Sequence, residues 1–128
     1  MKIIGLTGGS GTGKGTVAAR MRSLGAGWVD ADAVYRGLCA ENRAMLDALD
    51  AAFGGVTDEN GALDRPKLAK IVFSDPEKLA ELNRITTPYI RAASLAAIHA
   101  QSACPIVLYD APTLFEAGAD DFCDAVIA

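Results

Sequence analysis

The sequence predicts an α/β fold, with helices on both faces of a parallel β-sheet and a helical segment inserted between strands. Three observations lead to this prediction. Short apolar runs of strand length recur along the chain, longer segments with apolar residues at helical spacing separate them, and a glycine-rich stretch joins the first run to the first helical segment. Strands that alternate with helices imply parallel pairing through right-handed crossovers.

The predicted strands are 2–6, 28–32, 106–109 and 124–128. Each is a short run rich in apolar and β-branched residues, which is typical of a buried parallel strand. The last run looks like a strand that is only starting. We therefore expect a three-layer α/β/α fold whose C-terminal part is absent from this sequence.

Helix boundaries are indicated by caps and helix breakers. The first helix has Val17, Met21 and Leu24 on one face and stops at Gly25, and the second begins within 33–39. The further predicted features are a helix over 41–53 that stops at Gly54-Gly55, a turn at Asn60-Gly61, a helix capped by Asp64 with Pro66 in its first turn, a helix from Asp75-Pro76 to about residue 85, and another opened by Pro88.

The middle of the chain, 41–102, carries no strand signal. We interpret it as a helical insertion packed over the carboxyl edge of the sheet, where it holds a second substrate. The core of a single domain is then formed by 1–40 and 103–128. Ligands of parallel sheets bind beyond the carboxyl ends of the strands, so this edge is the expected site.

Composition limits the possible partners. The chain has 128 residues, 51% of them hydrophobic, which is enough apolar material for the core of one domain. A net charge of −4 argues against nucleic acid as a partner, because phosphate backbones attract basic surfaces. No apolar stretch approaches membrane-spanning length, and three widely spaced cysteines fit a reducing compartment. We expect a cytoplasmic protein with no membrane partner, and the oligomeric state stays open.

The stretch GLTGGSGTGKGT, residues 5–16, lies between the first strand and the first helix. Gly8, four further residues and Gly13-Lys14 match most of the phosphate-binding loop pattern. Backbone N–H groups of such a loop and of the helix N-terminus form a concave anion site, and the lysine reaches the outer phosphates. The stretch therefore predicts a phosphate-binding site, with a plain flexible turn as the alternative.

The residues expected to bind the phosphates of a ligand, which the family resemblance described below implies is ATP, are Gly9, Ser10, Gly11, Thr12, Gly13, Lys14, Gly15 and Thr16. The pattern has serine or threonine directly after the lysine, and this chain has the hydroxyl one position later. Either Thr16 contacts Mg²⁺, or phosphates and water hold the metal, which Mg²⁺ readily keeps hydrated.

Carboxylates follow two of the predicted strands. Asp30 and Asp32 share a face if both lie in a strand, and Asp32, closer to the edge, is the favoured base for the acceptor. A helix N-cap is the alternative for Asp32, and the two roles are compatible. Asp110 follows four apolar residues, which is typical of a Mg²⁺ ligand, with a turn or capping aspartate as the alternative.

Other polar residues carry weaker signals. Arg65, next to the Asp64 cap, is a candidate clamp for a substrate phosphate or carboxylate, and a surface arginine is the alternative. Glu116 lies just past Asp110 and is either a substrate contact or an exposed glutamate. His99 is interpreted as a helix-end residue and Tyr35 as a core residue.

A series of stretches, in order and separation, resembles the dephospho-coenzyme A kinase family. They are GLTGGSGTGKGT, VDADAVYR, FGG with DENGALDRPKLAKIVFSDPEKLAELN, TTPYIR and LYDAPTLFEAG, and they run along nearly the whole sequence. The chain departs from the family at Gly15, where serine is usual, and at Thr87, where histidine is usual.

The resemblance implies a kinase that uses ATP and Mg²⁺ to phosphorylate the 3′-hydroxyl of dephospho-coenzyme A. Asp32, the second aspartate of Asp-Ala-Asp, then acts on that hydroxyl. The expected catalytic residues are Asp32 and Lys14, the expected substrate contacts are Thr7, Asp32, Arg65, Asp110 and Glu116, and the expected metal ligands are Thr16 and Asp110. The alternatives are another P-loop kinase of nucleotides or small molecules and an ATP-binding module without turnover.

Overall fold

The computed structural model describes residues 1–7, 14–111 and 119–127, and the backbone alone at 14, 15, 119 and 120. In chain order its elements are β1 (Lys2–Leu6), α1 (Lys14–Ser23), β2 (Gly27–Asp30), α2 (Ala31–Glu41), α3 (Arg43–Phe53), α4 (Arg65–Val72), α5 (Pro76–His99), β3 (Ile106–Asp110), a 3₁₀ turn (Ala119–Phe122) and β4 (Ala125–Ile127). Within these ranges, no helix combines the length and apolarity needed to cross a membrane.

The four strands form one sheet in the order β2-β3-β1-β4, and every neighbouring pair is parallel. The predicted parallel α/β fold is therefore confirmed. In the register of this sheet, Asp110 lies opposite Leu6 on one side and opposite Asp30 on the other. Three strands thus end side by side, so the residues that follow them meet at one edge.

Side chains alternate between the two faces of the sheet, and each face has its own helix. On one face, Leu6 and Leu108 are buried with Ala18 of α1. On the other face, Val107 is buried with Ile98 of α5. The two helices therefore cover opposite faces, which gives the predicted three layers.

The chain divides into two compact units, one of Met1–Val34 with Arg91–Ala128 and the other of Tyr35–Ile90. The first contains the sheet, and the second consists of helices and turns. The predicted division into a core and an insertion over 41–102 stays a prediction.

In the second unit, α3 begins at Arg43 and not at Glu41 as predicted. The reason is that Asn42 caps it, with its side chain accepting the N–H of Met45. At the other end Gly54 has a φ of 78°, a left-handed conformation that favours glycine, so the predicted stop is confirmed.

After α3 the chain turns back through a loop that Asp50 holds. Its Oδ1 accepts the N–H groups of Val56 (2.7 Å) and Thr57 (3.1 Å), and its Oδ2 accepts the Thr57 hydroxyl (3.0 Å). These hydrogen bonds, led by that of Val56, lower the pKa of the Asp50 carboxyl. Thr57 pairs with Leu63 across a turn in which Gly61 has a φ of 82°, so the turn predicted there is confirmed.

The helix starts predicted at Asp64 and at Asp75 are also confirmed. Asp64 accepts the N–H of Lys67 (3.2 Å) at the start of α4, and Asp75 accepts the N–H of Glu77 (3.1 Å) at the start of α5. Aspartate is a favoured cap because its side chain satisfies N–H groups that have no partner within the helix.

The prediction that one helix ends near residue 85 and another begins at Pro88 is wrong. Helix α5 runs from Pro76 to His99 with Pro88 inside it. An internal proline removes a backbone hydrogen bond and costs about 3 kcal/mol. Thr86, buried two residues earlier, donates its hydroxyl to the Leu82 carbonyl (2.9 Å). Burial of α5 on both sides of Pro88 outweighs the propensity of proline to end a helix.

The strand predicted for 28–32 ends two residues earlier, at Asp30, because a helix begins at Ala31. Asp32 lies in the first turn of α2, so the predictions that Asp30 and Asp32 share a strand face, and that the helix begins within 33–39, are wrong. The interpretation of Asp32 as the N-cap is wrong as well. Asp30 fills that role, since its Oδ1 accepts the N–H of Asp32 (3.0 Å).

Candidate active site

The candidate site lies at the carboxyl edge of the sheet in the first unit. At the end of β1, the Leu6 carbonyl accepts the N–H of Ala111 (2.9 Å), and Thr7 donates its N–H to the Ile127 carbonyl (3.0 Å). Helix α1 then begins at Lys14. The two ends of the predicted phosphate loop are therefore a strand end and a helix start. Gly8, Gly9, Ser10, Gly11, Thr12 and Gly13 lie outside the described residues, and so does Glu116.

The start of α1 provides the part of the predicted anion site that the structure describes. Lys14, Gly15 and Thr16 form its first turn, and the Thr16 side chain is exposed. The first N–H groups of a helix have no carbonyl partner within it and carry the positive end of its dipole. This backbone therefore favours a phosphate group.

Asp110 is the last residue of β3 and is half-buried. Its Oδ2 accepts the indole N–H of Trp28 (3.4 Å), which precedes Asp30 by two positions on the same face of β2. The guanidinium of Arg22 lies over the Trp28 ring, 4.7 Å from its centre. The Asp110 carboxylate thus accepts a hydrogen bond from a large, rigid side chain on the neighbouring strand.

The backbone of Trp28 is itself fixed by a side chain. Gln101 accepts the Trp28 N–H through Oε1 and donates to the Trp28 carbonyl through Nε2, both at 2.9 Å. The Gln101 amide thus makes the two hydrogen bonds that a further strand would make to Trp28 along the open edge of β2.

Asp30 and Asp32 have different surroundings. Asp30 accepts a backbone N–H through Oδ1, whereas the Asp32 side chain is exposed in the first turn of α2, where the helix dipole favours a carboxylate. Burial raises the pKa of Tyr109 on β3, its hydrogen bond to Ser94 lowers that pKa in part, and the nearby Cys123 and Asp32 raise it by smaller amounts. Asp32 is therefore close enough to Tyr109 to influence its pKa, and its carboxylate is accessible from solvent.

A cavity of about 270 Å³ lies within the second unit. Its lining is mostly aliphatic, with Leu63, Leu68, Val72 and Leu82, and Arg65 carries the charge in it. Small-molecule sites commonly have about 300–1,000 Å³ with few polar groups, so the cavity suits part of a ligand and not a large one.

Tyr35 also lines this cavity. Burial raises the pKa of the Tyr35 hydroxyl, and the neighbouring Cys39, with which it is hydrogen-bonded, raises it further. Burial raises the pKa of the Cys39 thiol as well. Both groups are therefore neutral at physiological pH, and Tyr35 offers the cavity a neutral hydroxyl.

Sequence reasoning missed Trp28 and Gln101, and it interpreted Tyr35 as a core residue. The alternation of residues 28 and 30 along β2 is a signal for Trp28, because it puts the indole on the face of the carboxylates. Nothing in the sequence connects Gln101 to a strand 73 positions away.

The family model for dephospho-CoA kinase (CoaE) matches residues 2–128. The chain belongs to the dephospho-CoA kinase family. A dephospho-CoA kinase from Syntrophotalea carbinolica is 47% identical over 99% of this chain and 62% of its own length. One from Corynebacterium jeikeium is 43% identical over 99% of this chain and 66% of its own length.

Two solved structures are similar to the chain. One from Thermus thermophilus is 37% identical with a TM-score of 0.75, covering 98% of this chain and 63% of that one. A dephospho-CoA kinase from Campylobacter jejuni is 26% identical with a TM-score of 0.74, covering 100% of this chain and 67% of that one. The chain therefore spans about three fifths of the length of the curated dephospho-CoA kinases reported above.

Proposed function

We propose that the chain carries the activity for which its family is named. In this reaction the γ-phosphoryl group of ATP is transferred to the 3′-hydroxyl of dephospho-CoA, giving CoA and ADP. Family membership over residues 2–128 supports this. The observation that carries the proposal is that one sheet edge brings together the ends of the phosphate loop, Asp110 and the helix turn that presents Asp32.

ATP is proposed to bind with its phosphates against the loop and the start of α1. The loop residues already named, including Gly9 and Gly13, and the Lys14 ammonium are the proposed contacts. Mg²⁺ prefers oxygen ligands, and the Thr16 hydroxyl and the Asp110 carboxylate fit that preference. In the described part of the chain no three His, Cys, Asp or Glu side chains come together, so these two would hold the ion jointly with phosphates and water. The ion supplies charge neutralisation on the phosphates.

Asp32 is proposed as the base. As the 3′-oxygen forms a bond to the γ-phosphorus, the bond from that phosphorus to the bridging oxygen breaks, and ADP leaves with the electron pair. The hydroxyl proton passes to the Asp32 carboxylate. An exposed carboxylate at a helix start supports this role, because the helix fixes its position and solvent access lets the acceptor approach.

The acceptor is proposed to use the second unit as well. Its diphosphate suits Arg65, which pairs well with phosphate oxygens, and its flexible arm suits the aliphatic cavity beside that arginine. Thr7 and Glu116 are proposed as further substrate contacts. The cytoplasm is the proposed location, which is supported by Cys39, Cys104 and Cys123 being thiols.

The direct test is a coupled assay of ADP release with ATP and dephospho-CoA, with the product identified as CoA by mass spectrometry. Adenosine and AMP serve as control acceptors. We expect ADP release that depends on dephospho-CoA and a product heavier by one phosphoryl group. Preferential phosphorylation of another acceptor would contradict the proposal in favour of a different small-molecule kinase, and ATP binding without product in favour of a binding module.

A further inference from the structure

Trp28 is the only tryptophan of the chain, and it lies beside the proposed metal ligand. Its indole N–H points to Oδ2 of Asp110 at 3.4 Å, across from β2 to β3. Its backbone N–H and carbonyl are both hydrogen-bonded to the Gln101 amide, which fixes the backbone that carries the ring. The half-buried ring is covered by the exposed Arg22.

This arrangement matters because a carboxylate at a strand end can turn about its side-chain torsions. A donor on the neighbouring strand reduces that freedom by holding one of its oxygens. Indole offers an N–H donor and no acceptor, so it can only donate a hydrogen bond to a carboxylate oxygen of the aspartate. Partners that orient a metal ligand in this way commonly change metal affinity when they are removed.

We propose that Trp28 is a positioning residue for Asp110, holding that carboxylate in the orientation in which it meets the Mg²⁺ of bound MgATP. This proposal rests on the proposed nucleotide site but not on the identity of the acceptor. Trp28 acts through Asp110 and touches neither ATP nor the reacting atoms.

The test is equilibrium binding of a fluorescent N-methylanthraniloyl ATP, with Mg²⁺ and without it. Trp28→Phe keeps an aromatic ring on β2 but removes the indole N–H together with the pyrrole part of the ring. We expect the dissociation constant with Mg²⁺ to rise about three- to tenfold, because a weak hydrogen bond to a charged ligand is lost. Without Mg²⁺ the constant stays the same. Equal losses under both conditions, or no loss with Mg²⁺, overturn the proposal.

Two comparisons separate positioning from packing. Arg22→Ala uncovers the ring but keeps the indole N–H, so the Mg²⁺-dependent constant stays within about twofold of the parent value. In an Asp110→Ala background, Trp28→Phe has no further effect, since its action passes through that carboxylate. The same fold-change in both backgrounds contradicts the proposal.

A measurement on the unaltered chain, with Asp110→Ala as its control, gives a readout that does not depend on replacing Trp28. Because Trp28 is the only indole, its emission reports directly on this contact. Adding Mg²⁺ to the ATP-bound protein changes the emission, and the change is lost in Asp110→Ala. If the emission does not change when Mg²⁺ is added, the positioning role alone is overturned. If the chain binds no ATP, both the positioning role and the proposed nucleotide site are overturned.

Discussion

Asp30 and Asp32 are two residues apart, and the structure gives their side chains different surroundings. The Asp30 side chain is bound to the backbone N–H of Asp32 and thereby starts helix α2. Asp32 takes no part in capping and presents an exposed carboxylate in that first turn. The sequence alone allowed either aspartate to be the base, because it predicted a strand through both. The helix start supports Asp32 by leaving it the accessible carboxylate of the two.

Asp32→Asn tests this assignment. We expect turnover to fall about 10²–10⁴-fold, the usual loss when a general base is removed, while ATP affinity stays nearly the same. The measurements are steady-state ADP release and equilibrium ATP binding. Asp30→Asn is the matched control, because asparagine caps helices as well as aspartate does, and it should keep most of the turnover. Full turnover in Asp32→Asn, or equal losses in both variants, would contradict the assignment.

Asp50 is a second aspartate whose surroundings make a measurable prediction. Hydrogen bonds from Val56 and Thr57 lower the pKa of its carboxyl in the folded state. A lowered pKa means that the ionised carboxylate adds stability above the unfolded-state value of about 3.9, and that this stability is lost as pH falls through the folded-state value. We expect Asp50→Asn to lower Tm at pH 7 and the difference from the parent chain to shrink below about pH 4. A difference independent of pH contradicts this reading.

Among the elements, β2 is an edge strand that ends at Asp30, and Gln101 is hydrogen-bonded along its open side. The two hydrogen bonds from this amide leave no room beside Gly27, where an added Cβ would collide with Gln101 Oε1. A side chain at position 27 would therefore have to displace the Gln101 amide, and no unusual backbone conformation adds to this cost.

Gly27→Ala should displace the Gln101 amide and lose both hydrogen bonds. At about 1 kcal/mol each, we expect a loss of about 1–2 kcal/mol in the free energy of unfolding, measured by urea denaturation. In a Gln101→Ala background the same substitution should be close to neutral. Gly37→Ala is the control, because a Cβ at that position in α2 meets nothing within 4 Å. A similar loss in the Gln101→Ala background would show that the amide is not the cause.

How well each element could be predicted depends on whether its signal is local. Caps such as Asp64 and Asp75 bind N–H groups only two or three residues away, so the sequence identifies them. Pro88 is the opposite case, since its local preference to end a helix is outweighed by the tertiary packing of α5, whose Thr86, Ser94 and Ile98 are buried. The side chain of Gln101 reaches a strand far away in the sequence, and no local pattern predicts such a contact.

Taken as a whole, the chain keeps its proposed binding groups in two compact units. Lys14, Asp32 and Asp110 belong to the unit that contains the sheet, and Arg65 belongs to the helical unit. Sequence motifs indicated these residues, because each lies at a strand end or a helix start that has a local signal. They did not indicate the cavity beside Arg65, because its lining is collected from helices and turns that only the fold brings together.

If ATP binds through the first unit and the acceptor also needs Arg65, each ligand should stabilise the chain by its own increment. A ligand at a hundredfold excess over its dissociation constant adds about 2.7 kcal/mol, which raises Tm on the order of 10 °C in a chain of this size. We expect MgATP alone to raise Tm, and dephospho-CoA to raise it again when it is added to the complex with a non-hydrolysable MgATP analogue, which prevents turnover. Arg65→Ala should remove most of the second increment and keep the first, because a charge-assisted contact to phosphate is lost.

Lys67→Ala is the matched control, since it removes an exposed charge from the same helix, α4, without altering the cavity lining. It should keep both increments, because long-range attraction between exposed charges is largely screened at physiological salt. Equal losses in the two variants would mean that α4 acts through its overall charge. Loss of the MgATP increment in Arg65→Ala would instead mean that the arginine serves the nucleotide, and the assignment of the acceptor to the helical unit would then be wrong.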